Sequence, residues 1–314
     1  MIIFDSLDKI NINEPCVVAM GNFDGIHRGH RALIEQAVND ARSMGAASAV
    51  FTFSENPRNI LAGHKVVRNI VYPEDKIELI RELGVDFLFS VPFDEYLMKQ
   101  TPDEFTEDIL AGKFHAVETV CGFNFTYGYK ALGNADTLKE AGERLGFRAQ
   151  IIPAITDGGE TISSTLIRKK ISEGNVERAS QLLGRNYSIK GIVVHGNHIG
   201  RTIGFPTCNI TVDDSMITPA NGVYFTYCHV DGERCCSVTN VGNKPTIGTY
   251  DKNIETNILD FDRDIYGHTV TIEFLKRRRT ERKFSGLDEL QSEIDRDKAA
   301  ARNYHMANGP VMGS

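Results

Sequence analysis

Several things are missing from this 314-residue chain, and each absence narrows its function. The N-terminus, MIIFDSLDKI, has neither a positive leader nor a long apolar core, so no export signal is expected. No run of 18 apolar residues occurs, so no membrane-spanning segment and no membrane partner is expected. The six cysteines, Cys16, Cys121, Cys208, Cys228, Cys235 and Cys236, form no CxxC pair. Without export they read as reduced cytoplasmic thiols rather than as a metal or redox site. The net charge is −7, and neither half of the chain divided at residue 186 is basic, so an electrostatically driven nucleic-acid binder is not expected. The common phosphate cradles GxxxxGK[ST] and GxGxxG are absent, as are internal repeats and low-complexity tracts.

What remains is ordinary globular material, 41% hydrophobic and 25% charged. At roughly 150 residues per domain, the length points to two domains. In the first half, short apolar runs at 16–20, 47–53, 85–91, 117–121 and 148–152 alternate with helical patterns, which predicts a parallel sheet with crossover helices. Ligands of such sheets bind at the carboxyl ends of the strands. Residues 164–183 read as helical. From Tyr187 the chain turns to short alternating strands separated by Gly, Asn, Asp and Pro, which predicts a small antiparallel barrel. One helix from Leu287 to about Arg302 and a frayed tail over 306–314 complete the expectation.

Residues 21–30, GNFDGIHRGH, follow the first predicted strand and open a helix. Gly21, Gly25 and Gly29 permit tight turns around Phe23. A helix N-terminus favours phosphate, and His27 and His30, three apart, share one face there. Two imidazole donors suit charge building on a triphosphate. Read alone, the pair also fits solvated loop histidines or half of a zinc site. ISSTLIRKK (162–170) places Ser163, Ser164 and Thr165 at a helix start, with the forked cation Arg168 one turn on; an ordinary helix cap is the plainer reading. GFNFTYGYKALGN (122–134) puts Asn124 in a glycine-rich aromatic loop after the fourth predicted strand.

Together these three strings resemble the GxFDGxHxGH, GxxFxFGxxxxG and SSTxIR motifs of the nucleotidyltransferase superfamily in its flavin-nucleotide form. One segment departs: the family's TF-DPHP-like sequence is TFSENPRNIL here, without the histidine.

The second half carries GIVVHGNHIGRTIGFPTCNI (191–210). Gly196, Gly200 and Gly204 flank Arg201 in a flexible loop, and Pro206 leads into Thr207 and Asn209, which alternate onto one strand face. A hydroxyl and an amide oxygen are hard donors that suit Mg²⁺, although a glycine-rich hairpin explains the same residues. GRxxGFPTxN resembles the riboflavin kinase signature, with Cys208 in place of the family's alanine. NVGNKPT (240–246) and ETNILDFDRDIYG (255–267) match further segments in the family's order, with Asn257 where many members carry histidine.

Over about residues 1–305 the chain therefore resembles the bacterial bifunctional riboflavin kinase/FMN adenylyltransferase family. The resemblance implies a Rossmann-like α/β adenylyltransferase domain over 1–185 and a β-barrel riboflavin kinase domain with a C-terminal helix over 186–305. ATP, riboflavin and FMN would be substrates and Mg²⁺ the cofactor. It implies Glu255 as the general base of the kinase, Thr207 and Asn209 as Mg²⁺ ligands, and His27 and His30 as the catalytic pair of adenylyl transfer. Gly21, Phe23, Gly25, Asn124, Ser163, Ser164, Thr165 and Arg168 would surround the first nucleotide, and Gly196, Gly200, Arg201, Gly204 and Pro206 the second. Arg279 and Glu281, in the basic stretch KRRRTERK, match a family segment on the flavin side, although a solvated strand end is the plainer reading. A kinase with an impaired adenylyltransferase half, or a non-catalytic flavin sensor, are the competing readings.

Overall fold

The computed structural model describes residues 1–195, 207–246, 249–282 and 284–308. The chain divides into two compact units, Met1–Ser164 and Thr165–Ser314.

The first unit opens with β1 (Ile2–Phe4) and continues through β2 (Cys16–Met20), α1 (Arg28–Met44), β3 (Ala47–Phe53), α2 (Pro57–Ala62), α3 (Pro73–Arg81) and β4 (Phe87–Val91). Two short helices, α4 (Glu95–Lys99) and α5 (Pro102–Glu104), run into a wide π-helical turn over Phe105–Lys113. Then come β5 (Ala116–Gly122), α6 (Ala135–Leu145), β6 (Arg148–Ile152) and a two-stranded ribbon, β7 (Thr156–Asp157) with β8 (Glu160–Thr161).

The sheet is wholly parallel, in the order β1-β4-β3-β2-β5-β6. β2 is buried at all five positions because it is central and covered on both faces. On one face Val17, Ala19 and Val50 pack on Leu33, Ile34, Ala37, Val38 and Ala41, the apolar stripe of α1. On the other, Val18, Met20 and Phe51 join Phe89 and Phe114, whose rings stack at 4.2 Å. From β2 the chain adds strands in one direction through β3 and β4, and β5 and β6 lie on the other side. The order therefore reverses between β2 and β5, the point at which such sheets leave a crevice beyond their strand ends.

The second unit begins at Thr165, within α7 (Ser164–Ser172), and continues with α8 (Val176–Leu183). The helical stretch expected over 164–183 forms two helices, because Gly174 adopts φ 80° and Asn175 caps the second. The change of pattern near 186 falls after both helices, and α8 packs on two barrel strands, β9 (Tyr187–Val194) and β14 (Thr269–Thr280). Between those strands lie β10 (Cys208–Thr211), β11 (Gly222–Val230), β12 (Glu233–Thr246) and β13 (Thr249–Ile258). The six close into an antiparallel barrel in the order β10-β13-β12-β11-β14-β9.

Thr226, Ser237, Thr239 and Thr256 are fully buried and joined by a chain of hydroxyl hydrogen bonds, each 2.8 Å. The terminal helix α9 (Leu287–Asn308) runs further than expected, into the segment read as a frayed tail. Its Ala301 and Tyr304 pack on Val223, Phe225, Val238 and Leu259. Among the described residues no helix is long and apolar enough to cross a membrane.

Candidate active sites

In the first unit, the GNFDGIHRGH loop leaves the carboxyl end of β2 beside the reversal point. Its backbone is strained. Phe23 and Ile26 hold φ of 48° and 38°, in a region that non-glycine residues seldom occupy, and both side chains are fully buried. Two glycines allow close approach: a Cβ on Gly21 would lie 3.2 Å from the Phe23 ring, and one on Gly29 would lie 3.2 Å from the His27 ring.

His27 caps α1, its Nδ1 accepting the backbone N–H of His30 at 3.1 Å. That bond fixes the His27 tautomer: the proton sits on Nε2. The two imidazoles stack with centroids 3.5 Å apart, and Phe23 meets His30 edge-on at 5.2 Å. The expected pairing of His27 and His30 on one face is thus realised as a stack, with one first-turn amide already engaged by His27.

Ser164 Oγ donates to the Asp24 carbonyl at 2.8 Å, so its proton is directed to the loop itself. Asp24 Oδ1 in turn accepts the Ile70 N–H at 3.0 Å. Gly29 lies beside Ile162, next to Ser163. The first unit therefore brings Gly21, Phe23, Gly25, His27, His30, Ser163 and Ser164 together. Asn124 is exposed at the end of β5, its Oδ1 over Gly122. Thr165, exposed, and Arg168, half-buried, belong to the second unit.

The departing SENP segment has a local explanation. Asn56 Oδ1 accepts the Arg58 N–H at 3.1 Å and caps α2, with Pro57 at its first position. Glu55 and Asn56 line a small, open cleft together with Asn22, Asp24, Asn69 and Lys76. Asp24 and Lys76 were not among the sequence candidates. Asp24 lies inside the motif itself. Lys76 stands on a helix with no motif around it.

In the second unit, strand register builds the site. Asn209 on β10 is opposite Glu255 on β13, and Glu255 is opposite Asn240 on β12. Directly paired residues project from the same face, so the three form one polar row. Cys208 and Thr256 are the neighbouring pair; both are buried and point to the opposite face, the one that also carries the Thr239 hydroxyl. Glu255 Oε1 accepts from Asn253 Nδ2 at 2.7 Å. Asn209 is 6% exposed, and its Oδ1 has no hydrogen-bond partner among the described residues. Thr207, half-buried, immediately precedes β10. Asn257 is buried two residues beyond Glu255 on β13.

Gly196, Gly200, Arg201, Gly204 and Pro206 lie outside the described residues. Arg279 is engaged by α9: its Nη2 donates to Asp297 at 2.8 Å, and Glu293 lies at 3.6 Å. Glu281 accepts from Asn221 at 2.9 Å and reaches over Gly242, two residues from Asn240.

The comparisons with known proteins agree with this division. A FAD synthetase family model matches residues 9–166 and a riboflavin kinase family model residues 183–305. The bifunctional riboflavin kinase/FMN adenylyltransferase of Bacillus subtilis is 40% identical, over 92% of each chain. That of Escherichia coli K12 is 34% identical, over 95% of each. A solved structure of a Streptococcus pneumoniae protein described as a macrolide-efflux protein superposes with a TM-score of 0.89 at 33% identity, covering 96% of this chain and 98% of that one. With a FAD synthetase domain followed by a riboflavin kinase domain and relatives of this similarity over its length, the chain belongs to the bifunctional riboflavin kinase/FMN adenylyltransferase family.

Proposed function

We propose that the barrel phosphorylates riboflavin through the Asn209–Glu255–Asn240 row, and that the α/β unit transfers AMP to the resulting FMN at the stacked His27–His30 pair. The observation that carries the reading is the cross-strand row, which sets a carboxylate beside a buried amide oxygen that has no hydrogen-bond partner among the described residues.

In the kinase half, the Glu255 carboxylate orients riboflavin's ribityl 5′-hydroxyl and accepts its proton as the oxygen attacks the γ-phosphate of ATP, giving FMN and ADP. Asn253 holds one carboxylate oxygen, so the other is the one that faces the hydroxyl. The Thr207 hydroxyl and the Asn209 amide oxygen are neutral hard donors and fit Mg²⁺, which when bound neutralises nucleotide phosphate charge.

In the adenylyltransferase half, the FMN phosphate attacks the α-phosphate of a second ATP, giving FAD and pyrophosphate. His27 donates from Nε2, since its Nδ1 is engaged, and His30 offers the second ring; together they stabilise charge on the phosphate oxygens. Asn124 and Ser163 bind phosphate around them, while Ser164 holds the loop through Asp24. ATP, riboflavin and FMN are the small-molecule substrates. All six cysteines are free thiols, which supports a reducing, cytoplasmic location.

The test is purified protein with riboflavin, ATP and Mg²⁺, followed by separation of products. His30→Ala is expected to make FMN but little FAD, a loss of about 10²-fold or more in FAD formation. Glu255→Gln is expected to convert added FMN to FAD while barely phosphorylating riboflavin. Equal loss of both activities in each variant would contradict the two-site division.

A further inference from the structure

Lys76, in the first turn of α3, makes three hydrogen bonds at the place where the loop after β2 meets the end of β3. Its Nζ donates to the Asn22 carbonyl at 2.9 Å, to Thr52 Oγ1 at 2.7 Å and to the Phe53 carbonyl at 3.2 Å. An ammonium has three protons, and all three are committed. Thr52 Oγ1 also donates to the Asn22 carbonyl at 3.1 Å, so that one oxygen receives two donors. Asn22 immediately precedes the strained turn of Phe23 and Ile26; Thr52 and Phe53 end β3.

A strained turn persists only where its surroundings over-determine it. Here the surroundings include a cation. A partly buried ammonium is costly to desolvate, and an apolar side chain of the same length would pack at less cost. Burial pulls the Lys76 ammonium down to about 8, with the Asp24 carboxylate acting in the other direction. The charged groups lining the cleft with it are Asp24 and Glu55.

We propose that Lys76 is a positioning residue for adenylyl transfer, clamping the Asn22 carbonyl to the end of β3 and so holding the turn that presents His27 and His30. The proposal rests on the adenylyltransferase reading above. The stacked imidazoles sit at the start of α1, a few residues on from Asn22, so anchoring Asn22 bears on the direction in which the chain enters that helix. Without the clamp the rings remain but lose their placement relative to the cleft.

The experiment measures both activities in Lys76→Met, which keeps the aliphatic stem, and in Thr52→Val, which removes one acceptor while keeping a β-branched strand residue. Misplacement on the ångström scale costs about 10²-fold, so the kcat for FAD formation should fall by that order in Lys76→Met and by about tenfold in Thr52→Val. KM for FMN and for ATP should stay within about threefold, because the clamp holds a catalytic geometry rather than a binding contact. Riboflavin phosphorylation by the same molecules should be unchanged. In Lys76→Ala, added propylammonium should restore FAD formation, which a purely packing role would not allow. Wild-type FAD formation in both Lys76→Met and Thr52→Val, or no amine rescue of Lys76→Ala, overturns the proposal while leaving the adenylyltransferase reading intact. A wild-type chain that makes no FAD overturns both.

Discussion

Replacing Gly29 by alanine separates the arrangement of the two imidazoles from their presence. The new Cβ would lie 3.2 Å from both Cε1 and Nδ1 of His27, inside the roughly 3.5–4.0 Å of ordinary carbon contacts. The ring must yield by a few tenths of an ångström, and it is confined. His27 is 5% exposed, stacks on His30 at 3.5 Å, and holds the His30 amide through Nδ1. Two stability terms oppose each other. Alanine in a helix is better than glycine by up to about 1 kcal/mol, and a weakened N-cap costs about 1 kcal/mol. The melting temperature should therefore move by no more than about 2–4 °C, the shift that 1 kcal/mol produces in a domain of this size. The rate has no such compensation. If about 1 Å of misplacement costs about 10²-fold, a few tenths of an ångström costs up to about tenfold, or about 1.4 kcal/mol of transition-state stabilisation. The assay compares FAD formation from FMN with FMN formation from riboflavin in one preparation, alongside thermal unfolding. The expected result is FAD formation reduced about tenfold, kinase activity unchanged and unfolding nearly unchanged. Wild-type FAD formation at an unchanged melting temperature would refute the claim that His27 placement matters.

Two further outcomes follow from charged groups. Arg279→Met removes the cation that binds Asp297 and Glu293, whose side chains are 5% and 10% exposed. Arg278 at 3.8 Å from Asp297 and Arg296 at 2.9 Å from Glu293 remain, so the loss should be about 3 kcal/mol rather than more, read as a lowered unfolding transition of the barrel with FAD formation from FMN preserved below it. Lys76 supplies a pH signature, because its folded value of about 8 lies below the ordinary 10.5. Between those values the unfolded chain binds a proton that the folded chain has released, so this group makes the fold more stable as pH rises from about 8 to about 10.5. Over the same rise the neutral amine loses one donor, so FAD formation should fall while stability grows; denaturant titrations and rates at both ends, with Lys76→Met lacking both trends, check the pair.

How much of this was readable in advance depended on whether the information was local. β2 stands out as an unbroken apolar run because a strand covered on both faces needs no alternation. β1 gives no such signal: it is three residues at a sheet edge, Ile2 is 58% exposed, and its pairing with β4 spans more than eighty residues. The break between α7 and α8 was written in Gly174–Asn175, a stop followed by a cap, but the apolar periodicity on either side concealed it. The basic stretch after β14 reads as a solvated strand end until register is known. Asp297 and Glu293 stand four apart on α9, a visible pair, yet nothing in the sequence says that Arg279 is the residue they meet.

The sites divide along the same line. His27, His30 and the glycines between them are legible because their spacing encodes their contacts: a cap at i+3, a ring against a glycine two residues on. Spacing also makes the two histidines look equivalent, and geometry separates them. His27 accepts the His30 amide through Nδ1, whereas His30 presents its ring to the His27 stack and to the edge of Phe23. Lys76 was invisible for the converse reason. Its partners are two carbonyls and a hydroxyl from positions 22, 52 and 53, and a lysine on an amphipathic helix is ordinarily solvated. A carbonyl has no residue type, so no motif can record it. The same limit applies in the barrel, where Asn209 and Glu255 stand 46 residues apart in sequence and meet only through register, with Asn240 completing the row from a third strand. A motif names the groups that act; the groups that fix their direction act largely through backbone atoms, and those come into view only once the chain is folded.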